Sequence, residues 1–351
     1  LKMSFRWYGA NDQVTLEKIR QIPGMQVIVT AIYDVPVGQV WEYERILALK
    51  KQIEDAGLRF EVVESLPVHE DIKLGLPTRD KYIENYIKSL HNLAKAGIKV
   101  VCYNFMPVFD WTRTTVEYPL KDHSKTLAYF KKDLENINVY DDDVSLPGWD
   151  TSYKKEDLRH IFEQYSHIDE ESLWSNLTYF LRAVVPEAEK SGIKMAIHPD
   201  DPPWNIFGLC RIITCEKNID RFLKIVDSES NSLTFCTGSL GCTPDNDIVS
   251  MVRKYSAQKR IAFVHLRNVK FDNDGNFYET SHLSSDGSLD MVAILKALHD
   301  TGFDGYCRPD HGRMIWGETG RPGYGLYDRA LGACYINGIW ETLEKEKCSS
   351  H

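Results

Sequence analysis

The sequence predicts an α/β fold, a closed (β/α)8 TIM barrel forming a single catalytic domain over residues 3–351, with an insertion after strand four. Three observations point there. Short β-branched or aromatic runs alternate with longer amphipathic stretches, which is the pattern of repeated βα units around a parallel sheet. Eight such runs can be counted, the number that closes this kind of barrel. No G-x-G-x-x-G follows the first run, so an open, doubly wound sheet is the weaker reading.

Taken in order, the expected strands are Phe5 to Tyr8, Gln26 to Thr30, Arg59 to Glu64 and Lys99 to Asn104, then Lys194 to His198, Ser232 to Thr237, Arg260 to Leu266 and Gly305 to Arg308. Helices are expected at about Trp41 to Ala56, Arg79 to Ala96, Glu171 to Ser191, Ile219 to Asp227, Asp245 to Lys254, Leu289 to Thr301 and Leu326 to Glu344. The tripeptides ending in Gly57, Gly97 and Gly192 (DAG, KAG and KSG) each put glycine where a helix stops and a strand follows, because glycine adopts the left-handed cap conformation cheaply. The alternation fails over 108–166, which holds Trp111, Trp149, the acidic run Asp141, Asp142 and Asp143, and the segment Leu146 to Trp149. An insertion there would lie over the face on which βα loops build barrel sites, as a lid; a surface ornament or dimer contact is the alternative.

At 351 residues the chain could hold two ordinary domains or one large barrel, so length alone does not decide. A formal charge of -9 argues against a nucleic-acid partner, because only short basic pairs such as Lys131 and Lys132 occur. An anionic substrate would have to meet a local positive site. The longest apolar runs are strand-sized and no basic-then-apolar leader is visible, so the expectation is a cytoplasmic protein without a membrane partner. The eight cysteines include no C-x-x-C pair and fit reduced thiols, most of them small core residues.

Four residue types that bind transition metals fall at or just past the ends of four consecutive expected strands: His198 in AIHPDDPP, Cys236 in TFCTG, His265 in FVHLRN and Asp310 in RPDHG. Each alone is ordinary, since a cysteine in an apolar strand is usually core and a lone histidine usually structural. Their shared position at ends that converge on one barrel mouth makes a metal centre the better reading. A thiolate with two imidazoles suits Fe(II), Zn(II) or Mn(II) and not Ca or Mg. Four protein ligands would close a tetrahedral zinc site, whereas six-coordinate Fe(II) or Mn(II) keeps about two positions open. An α-hydroxy acid can fill both through a carboxylate oxygen and its 2-hydroxyl, and Lewis-acid polarisation would make its C2 proton easier to remove.

These residues and the strings around them resemble the mannonate dehydratases of hexuronate (glucuronate) breakdown. The resemblance runs over almost the whole chain: FRWYG at the start, VTAIYDVPVGQVW from Val29, VVESLPVHEDIK from Val62, VCYNFMPVFDWTRT from Val101, and AIHPDDPP, TFCTGS, FVHLRN and RPDHG further on. It implies a barrel of the xylose-isomerase-like kind and a lyase that takes water from D-mannonate to give 2-keto-3-deoxy-D-gluconate. It also implies Mn2+ or Fe2+ on His198, Cys236, His265 and Asp310, and a homodimer.

Such a reaction needs a base for the C2 proton, an acid for the departing 3-hydroxyl and stabilisation of developing negative charge, the last supplied by the metal. The resemblance points to His311, beside Asp310, and to Tyr324, in the glycine-bracketed RPGYG loop, as the acid and base. A tyrosinate is the stronger base, so Tyr324 could take the C2 proton and His311 protonate the hydroxyl. A free phenol titrates near about 10 and would have to be lowered strongly for this, so the reversed roles stay open. Candidates for binding the carboxylate and polyol are Arg6, Asn104, Asp110, Arg113, Arg267, His282 and Arg308, with Arg267 and His282 favoured; an arginine at a barrel mouth can instead pair with a neighbouring acid. Trp7 and Trp111 could pack against the sugar chain or the core. Rival readings are a metal-dependent sugar isomerase or epimerase on the same barrel and a non-catalytic sugar-acid binding protein; a metallonuclease is opposed by the acidic balance.

Overall fold

The structure, a computed structural model, describes residues 1–135, 137 and 155–349. The acidic run at Asp141, Asp142 and Asp143 and the Leu146 to Trp149 segment lie outside the described residues. Eight parallel strands close a barrel: β1 (Lys2–Arg6), β2 (Val27–Thr30), β3 (Arg59–Glu64), β4 (Val100–Tyr103), β5 (Lys194–Ile197), β6 (Asn231–Cys236), β7 (Ile261–Leu266) and β8 (Tyr306–Pro309). Each pairs with its neighbours in chain order, and β8 returns to β1 through Lys2 with Tyr306 and Met3 with Cys307. That last pairing moves β1 towards the N-terminus of the expected run. Trp7 and Tyr8 lie past the ladder, at the mouth.

Strand periodicity decides which side chains face the axis. Val27, Val29, Val62, Val100, Cys102, Ala196, Phe263 and Tyr306 belong to one small buried cluster inside the barrel. The alternate residues Ile28, Val63, Val101, Ile197, Phe235, Val264 and Cys307 pack into the larger core beneath the helices. All seven expected helices form: Tyr43–Asp55, Arg79–Lys95, Glu170–Lys190, Glu216–Ile225, Ile248–Ala257, Met291–Asp300 and Tyr327–Ser349. Gly57, Gly97 and Gly192 take φ of +77°, +89° and +70°, so all three adopt the left-handed conformation assigned to them.

A second sheet was not expected. Its antiparallel order is Val269–Phe271, Phe277–Glu279, Lys125–Tyr129 and Thr115–Pro119, so a hairpin from the segment after β4 pairs with an excursion after β7. These strands have three to five residues, and the outer one, Thr115–Pro119, is half-buried to exposed along its length, so none is long enough to stand out as a strand in the sequence. The helix Leu16–Arg20 in the first βα unit and Glu70–Leu74 after β3 are likewise too short to show a 3.6-residue pattern. The second sheet places Glu279 and Arg113 at the barrel mouth, where both are buried.

An added methyl at Gly192 would meet nothing within 4 Å, so only its left-handed backbone resists a side chain. Gly192→Ala is expected to lower stability by about 1 kcal/mol through that backbone conformation, with turnover unchanged. A denaturant midpoint identical to that of the unaltered chain would contradict it.

Candidate active site

The axial face of the late strands continues outward from Ala196 to His198, Thr234 to Cys236, Phe263 to His265 and Tyr306 through Arg308 to Asp310. Register then sets them side by side: Cys236 pairs with His265, and His265 with Arg308. Ligand atoms of His198, Cys236 and His265 all lie within 4.8 Å of one another. Asp310 borders this trio, with Oδ2 3.5 Å from Cys236 Sγ and Oδ1 3.5 Å from His265 Nδ1.

The surroundings prepare these groups to bind a cation. His198 Nδ1 is 2.7 Å from the Pro199 carbonyl, which can only accept, so Nδ1 carries a proton and Nε2 is left for a ligand bond. Glu64 Oε2 approaches His265 Nε2 at 3.3 Å, yet neither ring nitrogen of His265 has a hydrogen-bond partner although both are buried. Burial pushes the Cys236 thiol up, but the Arg267 guanidinium and the neighbouring His198 and His265 rings outweigh it and bring the thiol down to about 6. Cys236 Sγ also accepts from Ser239 Oγ at 3.0 Å and from Ser239 N at 3.4 Å. Gly238 is what lets Arg267 come so close: a methyl there would stand 2.2 Å from Arg267 Nε. Burial would depress His198, but the Cys236 sulfur and then Asp310 raise it to about 9, so a bound cation would displace a proton held between histidine and thiolate. A soft thiolate, two imidazoles and a carboxylate, with two orphaned ring nitrogens, fit a transition metal.

Beside this cluster stands a second constellation. His311 Nδ1 lies 2.9 Å from both oxygens of Glu279 and 3.0 Å from Arg267 Nη1; the two nearer carboxylate oxygens favour a proton on Nδ1, which leaves the lone pair of Nε2 facing Tyr324 Oη at 2.9 Å. Tyr324 sits on a loop fixed from behind. The buried Arg329 of the C-terminal helix donates to the Tyr324 carbonyl, to Gly325 O at 2.7 Å and to Arg6 O at 3.2 Å. Glu318 accepts from Leu326 N at 2.5 Å and Tyr327 N at 3.2 Å at the start of that helix. Burial pushes the Tyr324 phenol well above its usual value, and Tyr8 and Asp310 push the same way. Trp111, from the segment after β4, stands edge-on over His311 with centroids 5.6 Å apart.

The residues expected to bind substrate have divergent surroundings. Arg113 donates to Asp201, to Glu279 and to the Thr112 carbonyl, and is fully buried. Arg267 donates to Glu279 at 2.9 Å and to Asp201 at 2.6 Å. Arg308 is held by Glu64 and Asp310, and Arg6 by Glu64 at 2.8 Å. The four candidate arginines are thus bonded to protein carboxylates, the alternative open to an arginine at a barrel mouth, because this much buried acid requires compensation. His282 is directed elsewhere: its Nε2 is 2.9 Å from the Leu266 carbonyl, and its ring packs against Gly332 of the C-terminal helix. Asn104 and Asp110 line a cavity of about 690 Å³ between the loops after β3 and β4. Trp7 is buried in the core. Glu64, Asp201 and Glu279 were missed; the period-2 signal in Phe277, Tyr278 and Glu279, with the acid on the buried side, is the one clue the sequence holds for Glu279.

Burial pushes Glu279 up, but His311, Arg267 and Arg113 pull it down to about 2 from the ordinary glutamate value of 4.5. Its stabilising contribution is therefore complete above about pH 4.5 and lost as pH falls towards 2. Glu279→Gln, which unbalances the two arginines, is expected to cost about 3–5 kcal/mol at neutral pH and to flatten the stability curve across that acid window. Denaturant unfolding at a series of pH values reads both effects, and a curve superimposable on that of the unaltered chain would contradict them.

Known proteins resemble the chain along its whole length. The sequence profile described as D-mannonate dehydratase (UxuA) matches residues 1–350. Mannonate dehydratase 2 of Halalkalibacterium halodurans is 57% identical over 343 residues, 98% of this chain and 99% of that protein. The mannonate dehydratase of Thermotoga maritima is 56% identical over 357 residues, covering 99% of each. The crystal structure of mannonate dehydratase from Streptococcus suis serotype 2 superposes with a TM-score of 0.93 at 53% identity, covering 99% of this chain and 96% of that one. A xylose isomerase-like TIM barrel protein from Mycobacterium smegmatis, with a TM-score of 0.56 at 16% identity over 93% of this chain and 87% of that one, shares the fold alone. By family profile, by identity along its whole length and by architecture, this chain belongs to the D-mannonate dehydratase family.

Proposed function

We propose that the protein is a hydro-lyase that takes water from D-mannonate to give 2-keto-3-deoxy-D-gluconate, using Mn2+ or Fe2+ held by His198, Cys236, His265 and Asp310. The observation that carries this reading is the placement, at one barrel mouth, of a buried thiolate–imidazole cluster beside a hydrogen-bonded His311–Tyr324 pair. A cation bound there supplies the Lewis-acid polarisation that makes the C2 proton of an α-hydroxy acid easier to remove.

The chain's own groups move the protons. His311 offers its Nε2 lone pair, and Glu279 on Nδ1 orients the ring and stabilises the charge it gains, so we assign removal of the C2 proton to His311. Tyr324, kept a phenol by burial, is suited to protonate the departing 3-hydroxyl. This reverses the order suggested by the basicity of a free tyrosinate. Trp111 over His311 shields the pair from water. A non-catalytic binding protein would leave this proton-carrying pair without a task. Eight free cysteines are consistent with the reducing cytoplasm, and the exposed Trp316, Tyr327 and Leu331 offer an apolar face to a homodimer.

Protein stripped with a chelator and reloaded separately with Mn2+, Fe2+ and Zn2+ tests substrate and metal together. D-mannonate is expected to yield the 2-keto-3-deoxy acid after Mn2+ or Fe2+ and not in the stripped state. Tyr324→Phe should lower kcat by about 10²–10⁴-fold with metal content intact. An isomeric sugar acid formed without water loss, or normal turnover by Tyr324→Phe, would overturn the reading.

A further inference from the structure

Arg321 differs from four other arginines around the mouth. Arg113, Arg267, Arg308 and Arg6 are all bound to protein carboxylates. Arg321 is exposed and, among the described residues, has no carboxylate partner. Its guanidinium lies over the ring of Tyr8, 4.2 Å from the centroid, and Arg6 lies 4.8 Å from the same centroid. Tyr8 in turn meets Tyr324 edge-on, with centroids 4.9 Å apart at 81°.

The backbone fixes this arrangement. Tyr324 N donates to Arg321 O at 3.0 Å, with Pro322 second in the turn and Gly323 third at φ +80°, the features of a type II turn. Gly323 also packs tightly, since a methyl there would stand 2.7 Å from Leu127. Arg321 and the proton donor Tyr324 are therefore the two ends of one rigid turn, one carrying an uncompensated positive charge and the other directed at His311.

We propose that Arg321 is the specificity-determining residue that recognises the carboxylate of the sugar acid, taking charge-assisted hydrogen bonds from its guanidinium to a carboxylate oxygen. It adds, beside the bound cation, a local positive site for an anionic substrate on a chain of net charge -9. The surface over Tyr8, between Arg321 and the His311–Tyr324 pair, then selects an aldonate over a neutral sugar. This rests on the dehydratase reading above.

Steady-state kinetics of metal-loaded wild type, Arg321→Lys and Arg321→Met with D-mannonate, at low and high salt and with D-gluconate as competing anion, test it. Loss of one charge-assisted contact should raise KM by about 10–100-fold in Arg321→Met, leave kcat within a few-fold, weaken D-gluconate inhibition in parallel and remove most of the salt dependence of KM. Arg321→Lys should fall in between, keeping charge without the planar fork. KM and D-gluconate inhibition near wild type in Arg321→Met would overturn the assignment, as would a loss confined to kcat, which would mean that Arg321 only props Tyr8 and Tyr324. A wild type that fails to turn over D-mannonate would instead overturn the dehydratase reading.

Discussion

The site depends on compensating negative charge buried at one end of the barrel. Glu64, Asp201, Glu279, Asp310 and the Cys236 sulfur are all buried there, faced by the guanidinia of Arg6, Arg113, Arg267 and Arg308. Arg267 is central: it bonds Asp201, Glu279 and Ser239, approaches Cys236 Sγ at 3.5 Å and lies 3.4 Å from Asp310. One guanidinium thereby links the thiolate of the His198–Cys236–His265 cluster to the carboxylate behind His311. Removing any one of these charges would leave a net buried charge on the rest of the network, which is costly.

The barrel delivers this network by two routes. Strand alternation projects His198, Cys236, His265 and Asp310 from the axial face of β5 to β8, and the second sheet brings Arg113 and Glu279 in from the side. The second route joins the loop after β4 to the loop after β7, so the segment after β4 is built into the site through Arg113, Asp201 and Glu279. Trp111 in the same segment completes the cover over His311.

Much of this was legible in the sequence, for physical reasons. A parallel barrel buries both faces of every strand, so Val62 and Val63 or Val100 and Val101 form continuous apolar runs that stand out from their surroundings. His198 and His265 were conspicuous because each interrupts such a run where it ends. Glu64, Asp201 and Glu279 were not, since an acid beside a turn or in a three-residue strand reads as a solvated residue until its arginine partner is known. Those partners are distant in sequence, as Arg113 and Glu279 are, and nothing local records the pairing. For the arginines the sequence leaves two readings open, substrate contact or pairing with a neighbouring acid, and Arg113 and Arg267 pair with Asp201 and Glu279, because a sequence shows a side chain's chemistry and not its commitments.

The most direct test of the central claim is a Co(II) titration of chelator-stripped protein followed by absorption spectroscopy, in wild type and in Cys236→Ser. A thiolate ligand at the barrel mouth predicts saturation at one cobalt per chain with a sulfur-to-cobalt charge-transfer band in the near ultraviolet, and loss of that band in Cys236→Ser. Stoichiometric binding without the band in wild type, or an unchanged band in Cys236→Ser, would contradict it.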